Sequence, residues 1–124
     1  MRVAFGLYGP DLEPSEVTRE SGVTPSRSWS RSQPLPNGRP RADGLWILQS
    51  QAGEADSFDA HWASIVGLMR EAWPTFVDLG RRHKAYVEGI VSVTGRPTIS
   101  ANAASIHSIG ELGAELLFEV NTEP

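Results

Sequence analysis

Apolar residues recur at spacings of three and four between Ser57 and Arg82: Trp62, Ile65, Met69, Trp73 and Phe76, with Val66, Leu68, Val77 and Leu79 widening the stripe. That period belongs to one face of a helix laid on a core. Asp56 and Ser57 are candidate N-caps, and Asp59 puts a carboxylate in the first turn, where the helix dipole favours it. Arg81, Arg82 and Lys84 supply positive charge near the far end, Asp78 is spaced to pair with Arg82, and Gly80 reads as the stop. Pro74 interrupts the stripe. It removes one backbone donor and presses its ring on the carbonyl of Arg70, at about 3 kcal/mol in a helix interior. It also pushes Trp73 away from helical angles. The pattern predicts a long helix that kinks or breaks at Trp73–Pro74 and resumes with Pro74 in its first turn. The aromatic stripe is core, not a cofactor box.

Around this stretch the period changes to two. Val3, Phe5 and Leu7 alternate with Arg2, Ala4, Gly6 and Tyr8, a first strand with one buried face. Gly9-Pro10-Asp11 turns the chain, and Pro14 opens a short helix with Glu13 as its cap and Leu12 and Val17 at the positions of a hydrophobic staple. Gly22 ends it and Pro25 prevents continuation. Ser28 to Ser32 is a weak short strand, and Gln33 to Asp43 is a loop with its tight turn at Asn37-Gly38. Gly44 to Gln51 is apolar on both sides and predicts a strand inside the sheet. Tyr86 to Thr94 is a strand with Val87, Gly89, Val91 and Val93 on one face and Tyr86, Glu88, Ile90 and Ser92 on the other. Thr98 to Ser100 is a short extended piece. Ser100 or Asn102 then caps a helix that turns Ile106, Ile109 and Leu112 inward and stops at Gly113. Leu116, Phe118 and Val120 alternate with Glu115, Leu117 and Glu119 in a last strand.

The predicted order is strand, helix, strand, strand, long helix, strand, helix, strand. This is an α+β fold in a single domain over residues 1–124: a four- to six-stranded mixed or antiparallel sheet with helices on one face. The first four strands and two helices trace a ferredoxin-like unit, extended by a helix and a strand.

Composition narrows the chemistry. With 40 % aliphatic and aromatic residues the chain can bury a core. The absence of cysteine excludes disulfides, thiolate metal sites and cysteine nucleophiles. The residues after Met1 are too short and polar a run for a signal peptide, and no apolar run approaches the roughly eighteen residues of a membrane span. The cytoplasm is the expected compartment. Net charge is −4, against a dedicated nucleic-acid binder, but it is unevenly spread. Arg27, Arg31, Arg39 and Arg41 lie between Thr24 and Ala42 with no acid among them, whereas Glu111, Glu115, Glu119 and Glu123 follow Pro97 with no lysine or arginine.

No catalytic motif stands out. His61, His83 and His107 fall in different elements, without metal-ligand spacing; His61 is expected on a helix surface, His83 in the turn after the long helix and His107 on the exposed side of the next helix. No nucleophile elbow and no phosphate-binding glycine loop occurs. Glu54, Asp56 and Asp59 read as helix-capping acids before they read as a cation site. Glu88 and Tyr86 share a strand face, expected to be solvated. No catalytic residue, metal or cofactor is assigned. The best candidate surface is the loop that carries Trp29 with Arg27, Arg31, Arg39 and Arg41, since guanidinium and indole groups grip carboxylates and dominate interface hot spots.

The order of several weak signals also resembles the bacterial family catalogued as domain of unknown function 4279. They are Glu13-Pro14-Ser15-Glu16-Val17-Thr18 opening the first helix, Gly22-Val23-Thr24-Pro25 closing it and Gly44-Leu45-Trp46-Ile47-Leu48-Gln49-Ser50 as a strand. The proline-interrupted helix and Gly110-Glu111-Leu112-Gly113-Ala114 before the last strand complete the set. The resemblance implies a fold and a bacterial source and supplies no catalytic residues. The leading expectation is a non-enzymatic protein-binding module, monomer or homodimer, that takes an acidic protein partner; an immunity- or antitoxin-like role is one version by analogy. The alternative is a small-ligand-binding protein or hydrolase with a site built from scattered residues such as His61, Glu88 and His107. Nucleic-acid binding through the arginine loop, which would weaken steeply with salt, is the third.

Overall fold

The structure, a computed structural model, describes residues 1–122. In chain order its elements are β1 (Arg2–Gly9), α1 (Pro14–Ser21), β2 (Arg27–Trp29), β3 (Gly44–Gln49), α2 (Phe58–Met69), α3 (Trp73–Arg82), β4 (Lys84–Val93), α4 (Ala103–Glu111) and β5 (Glu115–Thr122). The strands form one mixed sheet in the order β2-β3-β1-β4-β5. β1 is antiparallel to both β3 and β4, β2 is antiparallel to β3, and β5 runs parallel to β4. The first four strands thus have the split βαβ order of a ferredoxin-like unit, and α4 with β5 extends it by one parallel edge strand. Glu123, counted in the acidic run, lies outside the described residues.

All four helices cover one face of the sheet, the one that carries the alternating core residues of β1, β3 and β4. Val3, Phe5 and Leu7 of β1, Trp46 and Leu48 of β3, and Ala85 and Val87 of β4 meet Phe58, Trp62, Ile65 and Met69 of α2 and Phe76 and Leu79 of α3 in a single core. Leu12 and Val17 join it from either side of the α1 cap, as a staple does. Indole N–H groups caught in this packing donate to hydroxyls: Trp46 to Thr18 Oγ1 at 3.2 Å and Trp62 to Ser108 Oγ at 2.8 Å.

The predicted long helix is broken. α2 begins at Ser57, whose hydroxyl accepts from the Ala60 N–H, and ends at Met69. A 3-10 turn over Arg70–Ala72 then carries the chain to α3, where Pro74 occupies the first turn and needs no donor. Gly80 does not stop α3, which runs on to Arg82. Its missing side chain instead admits the Leu112 carbonyl oxygen, which would lie 2.2 Å from a Cβ there. Gly22 and Gly113 close α1 and α4 as predicted, both at positive φ, 71° and 64°. α4 starts at Asn102, whose side chain accepts from the Ser105 N–H. Ile109 and Leu112 face the core, but Ile106 is 56 % exposed and Ser105 takes the inward place, donating to Asp59 Oδ1 at 2.7 Å. The weak strand proves to be Arg27–Trp29, and Thr98 to Ser100 forms none. Among the described residues no helix is long and apolar enough to cross a membrane.

Candidate functional site

With the helices on one side, the other face of the sheet lies open, and the residues of interest gather on it or at its edge. Arg2, Ala4, Gly6 and Tyr8 of β1 lie on this face, in rows with Gln49, Ile47 and Leu45 of β3 and with Ile90, Glu88, Tyr86 and Lys84 of β4. The central strand therefore has its smallest side chains in mid-sheet, and a trough runs along it. The Tyr86 ring lies directly on Gly6, where a Cβ would come within 2.2 Å of the ring carbon Cζ. The trough encloses about 380 Å³, with Arg2, Arg27, Gln49, Tyr86 and Glu88 along it and His61 and Glu54 at one end.

His61 is not on a helix surface. It is 2 % exposed, and its Nδ1 shares a hydrogen bond with Ser50 Oγ at 2.8 Å. Ser50 Oγ also accepts from the Ala52 N–H, while the Ser50 N–H donates to the Val3 carbonyl, so the start of the linker is fixed against β1. The other ring nitrogen, Nε2, is buried with no partner among the described residues. Burial raises the Tyr86 hydroxyl above the usual tyrosine range and Glu88 adds to this, while Arg27 opposes it; the group stays a neutral O–H donor at neutral pH. Arg27, Tyr86 and Glu88 all line the same trough.

The arginines of the predicted site occupy four settings. Arg41 folds back over the Trp29 ring at 4.5 Å, and its Nε is shielded with no partner among the described residues. Arg31 donates to the Pro10 carbonyl at 3.0 Å. Arg39 sits in the Asn37-Gly38 turn, where its carbonyl accepts from the Leu35 N–H and its own N–H donates to Asn37 Oδ1. Arg27 stands in β2 opposite Ile47 and lines the trough. Trp29 and Arg41 are brought together, then, and Arg27, Arg31 and Arg39 are directed elsewhere.

A second feature is the outer edge of β5. This strand pairs with β4 alone. Leu116, Leu117, Phe118 and Val120 are between 36 and 44 % exposed. Phe118 packs edge-on to Phe58 at 5.4 Å and fills the space that Gly89 leaves, so the strand is held on the core side by one aromatic. Leu117, on the open face, stands between Glu115 and Glu119.

The scattered residues of the alternative reading are only partly united. His61 and Glu88 share the trough, whereas His107 lies exposed on α4, 3.1 Å from Glu111. Asp59 is taken up by the Asn102 N–H and Ser105 and Asp56 by the Gly53 N–H, and no group of three potential metal ligands forms among the described residues. His83 closes α3, and burial, reinforced by Arg82, lowers its pKa from the ordinary histidine value despite the opposing Asp11 and Glu20. The unfolded chain therefore takes up a proton first, so this contribution to stability is complete above about pH 6.5 and is lost as the pH falls through the lower folded pKa. Urea midpoints measured from pH 7.5 to 5 are expected to fall, and to fall less in His83→Gln.

The model of the family described as Domain of unknown function (DUF4279) matches residues 1–123. The chain belongs to that family. No curated protein and no solved structure matches it. Membership in DUF4279 establishes no activity, and the functional residues rest on geometry. Sequence reasoning placed Tyr86 and Glu88 on one face but favoured a solvated face over a pocket, and it did not assign the edge to β5; Ala4 as a small outward residue and Leu117 as an apolar residue on a polar face were the traces.

Proposed function

We propose that this DUF4279 protein is a protein-binding module, without a catalytic centre of its own, whose partner adds an extended basic segment to the free edge of β5. The observation that carries it is the edge itself, eight residues long, paired on one side among the described residues, with four large apolar side chains each more than a third exposed. Outer backbone groups of such a strand are a template for another chain, and addition buries apolar surface at the same time. Lysine and proline, two common guards of edge strands, are missing from Glu115–Thr122, and its charges are the two glutamates. The charges select the occupant. Lysine or arginine opposite Glu115 and Glu119 is favourable, whereas a second copy of β5 would set glutamate opposite or diagonal to glutamate.

A photo-crosslinking residue in place of Leu117 is the test, with one in place of Arg39 to sample the arginine loop. In lysate of the native host, the Leu117 position is expected to form one discrete adduct whose attached peptide is extended and carries lysine or arginine. The adduct should vanish in Glu115→Lys/Glu119→Lys. Adducts at Arg39 alone would transfer the function to the loop, and a self-adduct at Leu117 would make the occupant a second copy; either result overturns the reading.

A further inference from the structure

Independently of the β5 edge, we infer that the trough on the open face is a binding site for a small zwitterion of dipeptide size, a carboxylate and an ammonium group joined by a short apolar body. At about 380 Å³ the trough lies within the range of roughly 300–1,000 Å³ usual for small-molecule sites. Its floor leaves room for an occupant: Ala4 keeps the middle of the sheet low beside the Tyr86 ring, which rests on Gly6 and bounds the space.

The polar groups around that floor are of both signs and are left unused. Arg2 and Arg27 have no carboxylate partner among the described residues, and the Tyr86 hydroxyl makes no hydrogen bond there. Arg27 with the Tyr86 O–H supplies donors for a carboxylate, and Glu88, which lines the same trough, is the acceptor for an ammonium group. A simple anion would meet Glu88 and Glu54, and a simple cation would meet Arg2 and Arg27. A molecule with both charges satisfies both. Ala4, Ile47 and Ile90 provide apolar contact for its body.

A second observation is independent of the charges. His61, 2 % exposed, forms the wall at one end of the trough with its Nε2 unpartnered. A buried ring nitrogen without a partner is a costly feature of a folded chain and a recurrent feature of sites whose ligand is absent. The Ser50 hydrogen bond holds the ring in one orientation.

The probes are alanyl-alanine, its N-acetyl form and its C-terminal amide, titrated against the whole chain by NMR. Alanyl-alanine is expected to shift the amides of Ala4 and Gly6 at millimolar concentration. Each blocked form should bind about tenfold more weakly, the worth of one charge-assisted hydrogen bond. Arg27→Ala should erase the preference for the free carboxylate over the amide and leave the preference for the free amine. Glu88→Gln should do the reverse. Both residues sit on the open face of the sheet, outside the core, so both variants are expected to fold, and matching amide spectra away from the trough would verify it. Equal binding of all three probes, or no shift at Ala4 and Gly6, overturns the proposal.

Discussion

Phe76→Ala is expected to destabilise the fold by about 4 kcal/mol, within the range found when a buried aromatic is truncated in a rigid core. Phe76 has no exposed surface and is the point where α3 meets the sheet: its ring stands edge-on to Phe5 at 5.9 Å and tilted against Trp46 at 5.5 Å. Those two residues come from the neighbouring strands β1 and β3, so no single side chain can move into the vacated space without disturbing strand pairing. A domain of this size is commonly stable by only about 5–15 kcal/mol, which makes the loss a large share. Urea unfolding should show a lower midpoint with an unchanged slope. A cost below about 1 kcal/mol would mean that α3 is not docked as described.

Gly80→Ala is expected to cost about 3 kcal/mol, at the upper end of overpacking penalties. By helix propensity alone the exchange would be favourable by up to about 1 kcal/mol. Packing reverses the sign, because the new Cβ would lie 2.2 Å from the carbonyl oxygen of Leu112 and 3.2 Å from its carbon. Both are backbone atoms at the end of α4, and relief requires shifting that helix away from α3. Gly67 in α2 is the control: nothing lies within 4 Å of a Cβ there. Gly67→Ala should raise the unfolding midpoint, and Gly80→Ala should lower it. Equal effects of the same sign would refute the close approach of α3 and α4.

Where the deciding interaction is local, it could be read along the chain. The α1 boundaries followed from Pro14 and Gly22, the α4 start from Asn102 and the break before α3 from Pro74. Each acts on backbone geometry or donors within a turn of itself. Period-two patterning found β1, β4 and β5 and a continuous apolar run found β3, and with them came the α+β class and the ferredoxin-like start. Gly80 and His61 defeated the same logic. A glycine near a helix end looks alike whether it stops the helix or admits another backbone, and only the position of Leu112 separates the two. A lone polar residue on an apolar helix looks solvated until Ser50, eleven residues earlier, is seen to reach it.

The candidate sites show the same division. Charge asymmetry drew attention to Arg27, Arg31, Arg39 and Arg41 because it is visible in one dimension, yet the settings of Arg41, Arg31 and Arg27 were decided by Trp29, Pro10 and the sheet. The sequence by itself determined the elements, their caps and the one face able to form a core, since these depend on residues within a few positions of one another. Only the tertiary structure decided which strand lies at the centre and which at the edge. That order turned Ala4 into the floor of a trough bounded by Tyr86 and left Leu116, Leu117, Phe118 and Val120 partly exposed, because a site on a sheet is made by neighbours across strands and not along them.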